Sequence, residues 1–169
     1  MKELFDPLRR ALPEFLGNVR AWERPIIPKW DLDKRSQQIL CDQLLKEWGR
    51  DSKITCVATS PHPFSITLGP KDFRLTTRLV PGQPLSCFLA TAHEWGHSLY
   101  EQGLPTQSHQ WFAWPLGQAT SMALHESQSL FWENRIARSR AFAERFWPHF
   151  AKQGAPFKSG LDLWQAMNP

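Results

Sequence analysis

Apolar residues spaced about one helical turn apart predict two helices in the first third of the chain. Residues 2–21 have a leucine at every fourth position, which predicts a helix that breaks near Pro13. A second helix is expected to begin with Asp31 as its N-cap and to run to about Trp48, where Gly49 stops it. The apolar stripe of this second helix consists of Leu40, Leu44, Leu45 and Trp48.

The middle of the chain has the residue types and the alternation of short β-strands. Residues 54–59 are rich in β-branched side chains, and residues 64–68 and 73–78 follow with a similar pattern. Between the second and third of these segments, Gly69 to Asp72 has the composition of a tight turn. We therefore expect a small antiparallel sheet in this region.

Helical spacing returns in the second half of the chain. It predicts helices over residues 85–102 and over residues 116–141, the latter continuing with a break before Pro148. The tail, residues 154–169, is expected to be loosely structured, apart from a short helix at residues 161–167. The predicted fold class is mainly α, a helical core with one small antiparallel β-sheet.

Composition and charge limit the classes of protein that fit this chain. Hydrophobic residues make up 41% and charged residues 21% of the 169 residues, the balance of one globular domain spanning residues 1–169. Lys and Arg number 20 against 16 for Asp and Glu, and they are scattered along the chain. No nucleic-acid partner is therefore expected.

Two further features predict a cytoplasmic protein. The N-terminal residues are charged and lead into no long apolar run, so neither a signal peptide nor a membrane partner is expected. The cysteines are three in number and form no CxxC pair, which favours a reducing compartment over a disulfide framework.

The run from Ala92 to Tyr100 contains an HExxH motif within a predicted helix. His93 and His97 lie one turn apart on such a helix, so their imidazoles can bind one metal ion. Glu94 lies beside them, placed to activate a metal-bound water and accept its proton. Zinc fits this ligand set best, because imidazole nitrogens suit it and a catalytic site needs three protein ligands plus water.

The third metal ligand is left open by the spacing of the downstream residues. The metzincin pattern is excluded, because Tyr100 and Gly103 occupy the positions of its Gly and its third His. Glu126 and Glu133 lie seven residues apart, hence on one helix face, and spacing favours Glu126. For Glu133 an ion pair with one of the arginines at residues 135–140 is the structural alternative. The full candidate set is Glu101, His109, His125, Glu126 and Glu133.

Four motifs in this order resemble those of the M32 metallocarboxypeptidases, the Taq carboxypeptidase family. His62-Pro63-Phe64 is similar to the family's HPF motif, and residues 72–76 are similar to DxRxT. HExxH follows at residues 93–97 and leads into residues 99–105, which also match the family. HESQS is present at residues 125–129. The resemblance covers roughly residues 60–150 closely.

The resemblance implies a ligand set, an activity and a cofactor. The family's third ligand is the Glu of HES, which corresponds to Glu126, with His93 and His97 as the other ligands and Glu94 as the general base. One zinc ion per chain is implied, with cobalt or manganese as possible substitutes. Family members hydrolyse single residues from the C-termini of peptides and are usually homodimers. Their fold is mostly α, with a small sheet beside a long groove.

Three further residues are candidates for substrate binding. The strand around Arg74 and Thr76 is expected to hold an extended peptide by main-chain pairing, as an edge strand can. An ion pair between Asp72 and Arg74 is the structural alternative. His62, which lies between two prolines, is either a polar partner of the site or a fixed loop residue.

The length of the chain qualifies the expected activity. Members of the family are much longer, and this chain lacks their N- and C-terminal extensions, including later motifs that hold the substrate's terminal carboxylate. An alternative function is therefore a non-catalytic zinc-binding fragment that acts as a partner or assembly module. The intact HExxH favours the zinc metallocarboxypeptidase.

Overall fold

The fold consists of helices around one small sheet. It was obtained as a computed structural model that describes residues 2–20, 28–105, 109–112 and 114–169. The helices are α1 (Lys2–Arg20), α2 (Lys34–Glu47), α3 (Pro84–Gly103), α4 (His109–Phe112), α5 (Met122–Leu130), α6 (Arg140–Lys152) and α7 (Gly160–Met167). The strands are β1 (Thr55–Thr59), β2 (Phe64–Gly69) and β3 (Asp72–Thr77). The expected mainly α class is confirmed.

Prolines interrupt neither of the helices in which a break was predicted. Pro7 and Pro13 lie inside α1, and Pro148 lies inside α6, so the predicted breaks near Pro13 and before Pro148 are wrong. A proline lacks one backbone N–H and so removes a single hydrogen bond from a helix. The helical turns before and after each of these prolines keep their hydrogen bonds. No helix in the described part of the chain is long and apolar enough to cross a membrane.

Helix α2 has the predicted apolar stripe but a different N-cap. The carboxylate of Asp33, not that of Asp31, accepts a hydrogen bond from the Ser36 backbone N–H at 2.9 Å. Gly49 follows the helix with a φ of 81°, the left-handed conformation that a glycine adopts easily. Three of the four stripe residues are buried: Leu40, Leu44 and Leu45.

The sheet is mixed, so the expectation of an antiparallel sheet is wrong for one of its strands. The order is β1-β3-β2, with β2 antiparallel and β1 parallel to the central β3. Pro61 and Pro63, in the connection from β1 to β2, have fixed φ angles and no N–H, which disfavours a tight hairpin there. The connection instead passes the end of β3, which lies between the other two strands.

The second half of the chain is more segmented than predicted. Helix α5 starts at Met122 rather than near Leu116, because the hydroxyl of Ser121 caps it by accepting from the Leu124 N–H. It continues as a π-helical segment, Phe131–Ala137, which ends before α6.

The predicted short helix of the tail is confirmed as α7, whereas the expectation that the rest of the tail is loose is wrong. Residues Phe157, Leu163 and Met167 are buried in the main core. At Gly160 the chain passes so close to α6 that an added Cβ would lie 2.4 Å from the Glu144 Cα. The core that α7 completes has aromatic rings at its centre: Trp30, Phe88, Phe142, Phe146 and Phe150.

Candidate metal centre

Helix α3 places the two histidines of HExxH side by side. His93 and His97 lie one turn apart, and their ring centroids are 4.9 Å apart with the planes nearly perpendicular. The helix is fixed in the core by the fully buried residues Phe88, Ala92 and Trp95, so packing holds it before the motif and within it.

Glu126 lies on α5, which packs against α3. Its carboxylate oxygens lie 3.7 Å from Nε2 of His93 and 3.4 Å from Nε2 of His97. The close approach of α5 to α3 depends on Gly96, where an added Cβ would lie 2.6 Å from the Ser129 Cα. Ligand atoms of the three side chains all lie within 4.8 Å of one another, a spacing that could hold a metal ion.

The remaining ring nitrogens face hydrogen-bond acceptors. Nδ1 of His97 lies 3.2 Å from the carbonyl oxygen of His125, and Nδ1 of His93 lies 3.0 Å from Oε2 of Glu133. A carbonyl or a carboxylate can only accept, so each Nδ1 donates and each neutral ring keeps its lone pair on Nε2. Burial, with His125 and His93 nearby, lowers the pKa of His97 to about 4.

Glu94 is buried beside this cluster and is 8% exposed. Burial raises the pKa of Glu94 to about 7, opposed by nearby His93 and reinforced by the carboxylate of Glu126. The cluster therefore contains two imidazole nitrogens, one carboxylate ligand and a second carboxylate in a low-dielectric position. Three of these groups, on His93, His97 and Glu126, could hold a metal ion, and the side chain of Glu126 is about half exposed.

Comparison with known proteins decides the family. The family model described as carboxypeptidase Taq (M32) metallopeptidase matches residues 1–168. The chain belongs to the M32 family. Thermostable carboxypeptidase 1 of Thermus thermophilus is 38% identical over 146 residues, which is 86% of this chain and 28% of that relative. Carboxypeptidase 1 of Bacillus subtilis is 35% identical over 157 residues, 90% of this chain and 30% of that relative.

The fold agrees with that of M32 proteins of known structure. The structure of the M32 carboxypeptidase from Deinococcus radiodurans R1 superposes with a TM-score of 0.82 at 33% identity. That comparison covers 97% of this chain and 33% of the Deinococcus chain. The chain thus spans only 28% to 30% of the length of these curated M32 relatives.

The other ligand candidates of this M32 chain have different partners. Oε1 of Glu101 lies 2.9 Å from Nε2 of His125, whose ring stacks on His97 with centroids 4.3 Å apart. Glu133 contacts His93 and also pairs with Arg138 at 3.3 Å. An ion pair with an arginine is the structural alternative to metal binding that the sequence predicts for Glu133. The side chain of His109 lies outside the described residues.

The contact of Glu133 with His93 was not anticipated for this M32 chain. Glu133 was considered as a ligand or as an arginine partner, and its role as acceptor for a ligand's second nitrogen was missed. The seven-residue spacing from Glu126 was the available signal, since it places both carboxylates on the face that meets α3.

The three substrate-binding candidates differ in their surroundings, and two of them have partners within the sheet region. β3 is paired on both sides, so the main chain of Arg74 and Thr76 is not free to pair with a peptide. Arg74 makes two hydrogen bonds of 2.8 Å to Asp72, the structural alternative. The hydroxyl of Thr76 accepts from the Phe64 N–H at 3.1 Å, and His62 is exposed.

Proposed function

We propose that this chain forms the catalytic metal centre of a zinc-dependent metallocarboxypeptidase. The observation behind the proposal is the convergence of Nε2 of His93, Nε2 of His97 and the carboxylate of Glu126 at distances of 3.4 to 3.7 Å. Both histidines have Nδ1 facing an acceptor, which prepares their Nε2 atoms for a metal ion. Two nitrogens and one oxygen form the ligand set of thermolysin-like zinc sites.

The chemistry is divided between the metal and Glu94. A bound zinc ion supplies Lewis-acid chemistry, lowering the pKa of a water molecule and polarising the scissile carbonyl. Glu94 takes the proton of the attacking water and passes it to the leaving amine. Its position next to His93 on α3 and its burial keep this carboxylate close to the centre and shielded from bulk solvent.

The substrate class is inferred from the relatives. The proteins that this chain resembles in Thermus thermophilus and Bacillus subtilis are named carboxypeptidases. We therefore expect the substrate to be a peptide with a free C-terminus, from which the last residue is removed. Homodimer formation and a cytoplasmic location, without nucleic-acid or membrane partners, stay predictions.

The first experiment measures zinc and hydrolysis in the same preparations. The wild-type chain is expected to bind about one zinc ion and to release the C-terminal residue of an N-blocked dipeptide. Glu94→Gln should keep the zinc and lower kcat by about 10²- to 10⁴-fold, the usual contribution of a general base. Glu126→Ala should lose the zinc, measured by equilibrium dialysis and elemental analysis.

Glu144→Gln is the matched control, because Glu144 is an exposed glutamate whose partner is Arg140. It should leave both zinc content and hydrolysis unchanged. Full activity in Glu94→Gln would exclude Glu94 as the base. A wild-type chain that binds zinc and cleaves no peptide would favour the alternative, a zinc-binding partner or assembly module.

A further inference from the structure

His93 is contacted at both ring nitrogens by carboxylates from one continuous helical stretch. Glu126, on α5, lies 3.7 Å from Nε2, and Glu133 lies 3.0 Å from Nδ1. The hydrogen bond to Glu133 is the first cause of the raised pKa of His93, and the same bond lowers the pKa of Glu133. The 3.0 Å separation is that of a hydrogen bond in which Nδ1 of His93 donates and the carboxylate of Glu133 accepts.

The π-helical segment Phe131–Ala137 presents Glu133 to this contact. In a regular α-helix two residues seven apart point in nearly the same direction, so both would meet the same side of the partner helix. Here the backbone changes from α to π between them, at Phe131. Short π-helical segments are frequent at functional sites, where they redirect side chains.

Arg138 holds Glu133 from the other side. One guanidinium nitrogen lies 3.3 Å from Oε1 of Glu133, while Oε2 of the same carboxylate faces His93. The other terminal nitrogen donates to the backbone carbonyl of Met167, at the end of α7. The carbonyl of Arg138 accepts from the side-chain amide of Asn168 at 3.0 Å. The carboxylate is therefore fixed by a connection that runs to the C-terminal helix.

We propose that Glu133 is a positioning residue that holds His93 in the Nδ1–H tautomer, and that Arg138 and the end of α7 hold Glu133. In this tautomer the Nε2 lone pair points toward Glu126 and His97, the arrangement a metal ion requires. The effect on zinc rests on the proposed function, whereas the effect on the tautomer does not. The docking of α7 and the geometry of the metal centre are thereby linked.

The tautomer is tested in the metal-free chain by ¹⁵N NMR of the imidazole nitrogens. The spectrum is recorded at alkaline pH, where all imidazoles are neutral, and His93 is assigned from its absence in His93→Gln. Wild type is expected to show a protonated Nδ1 and an unprotonated Nε2 at His93. Glu133→Ala should shift the His93 ring toward the Nε2–H tautomer, and Glu133→Gln, which retains an oxygen acceptor, should shift it less.

Zinc affinity is the second measurement, made by competition with a chromophoric chelator. Loss of such an outer partner typically weakens metal binding about 10- to 100-fold, and we expect this for Glu133→Ala, with partial rescue in Glu133→Gln. Arg138→Ala should act in the same direction by a smaller factor. The matched controls are Glu144→Ala and Arg140→Ala, which remove the exposed pair joined at 2.7 Å on α6.

The outcomes separate this inference from the proposed function. An unchanged tautomer in Glu133→Ala, or zinc affinities equal to those of the controls, would overturn the positioning role while leaving the metal centre in place. A wild-type chain without zinc affinity would overturn the metal centre, and the tautomer measurement would still decide the role of Glu133. If Glu133→Ala fails to fold, as judged by circular dichroism, the Glu133→Gln spectrum decides.

Discussion

The hydroxyl of Thr76 connects the loop after β1 to the central strand. Thr76 Oγ1 lies 2.6 Å from the hydroxyl of Ser60 and accepts from the Phe64 backbone N–H at 3.1 Å. The Ser60 hydroxyl in turn donates to the carbonyl of His62. Thr76 thus has a structural role in securing this loop, which has few N–H groups of its own because it contains two prolines.

At this position Thr76→Val is expected to destabilise the chain. The substitution keeps the shape of the side chain, but it removes the part-buried hydrogen bond from the Phe64 N–H, a loss of about 0.5–1.5 kcal/mol. Urea denaturation measures the change in the free energy of unfolding. Thr59→Val is the control, because Thr59 is an exposed residue of β1, and its stability should be close to wild type. Equal effects of the two substitutions would contradict the structural role of Thr76.

At the scale of elements, the proposed metal centre depends on how closely α5 approaches α3. Gly96 lies between the two histidines of HExxH, and its missing side chain lets the backbone of Ser129 pass. The hydroxyl of Ser129 donates to the carbonyl of Glu126 at 2.7 Å, within the turn that presents the carboxylate. The contact that sets the helix spacing therefore lies within one turn of all three ligands.

Gly96→Ala should separate these helices. An added Cβ would lie 2.6 Å from Ser129 Cα and 2.9 Å from the Gln128 carbonyl oxygen, both backbone atoms that cannot rotate away. We expect destabilisation of about 1–3 kcal/mol, typical of overpacking, together with weaker zinc binding because Glu126 moves with α5. Chemical denaturation and chelator competition measure the two effects.

The control for this substitution lies on the same helix. Gly103, the last residue of α3, has no atom within 4 Å of an added Cβ, so Gly103→Ala should leave stability unchanged or slightly raised. If Gly96→Ala were as stable as Gly103→Ala and bound zinc as tightly, the close approach of α5 would not be essential to the centre.

The same elements show what could be predicted from the sequence and why. Spacing within one helix is local, so the pairing of His93 with His97 followed from helix geometry alone. The parallel pairing of β1 with β3 depends on a path past the end of another strand, which alternation cannot show. That Glu126 faces the Nε2 atoms while Glu133 contacts Nδ1 of His93 depends on the π-helical segment and on Arg138. Both depend on tertiary packing, which the sequence pattern does not show.

At the scale of the whole molecule, the proposed metal centre joins segments that are distant along the chain. His97 is bonded to the His125 carbonyl, 28 residues away, and His93 to Glu133, 40 residues away. Arg138 extends the connection to Met167, a further 29 residues along the chain. A metal ion bound by His93, His97 and Glu126 would therefore bind the folded state and not the unfolded chain, in which these residues are far apart.

Zinc should consequently raise the thermal stability of the whole chain. Free zinc at 100 times its dissociation constant adds about 2.7 kcal/mol to the free energy of unfolding, which for a chain of this size raises Tm by about 5–10 °C. Calorimetry with zinc and with a chelator measures the shift. Glu126→Ala should unfold at the same temperature with and without zinc, whereas Glu144→Ala should retain the full shift. A zinc-dependent shift that survives in Glu126→Ala would place the stabilising ion elsewhere, because two imidazoles alone would not bind tightly enough to produce it.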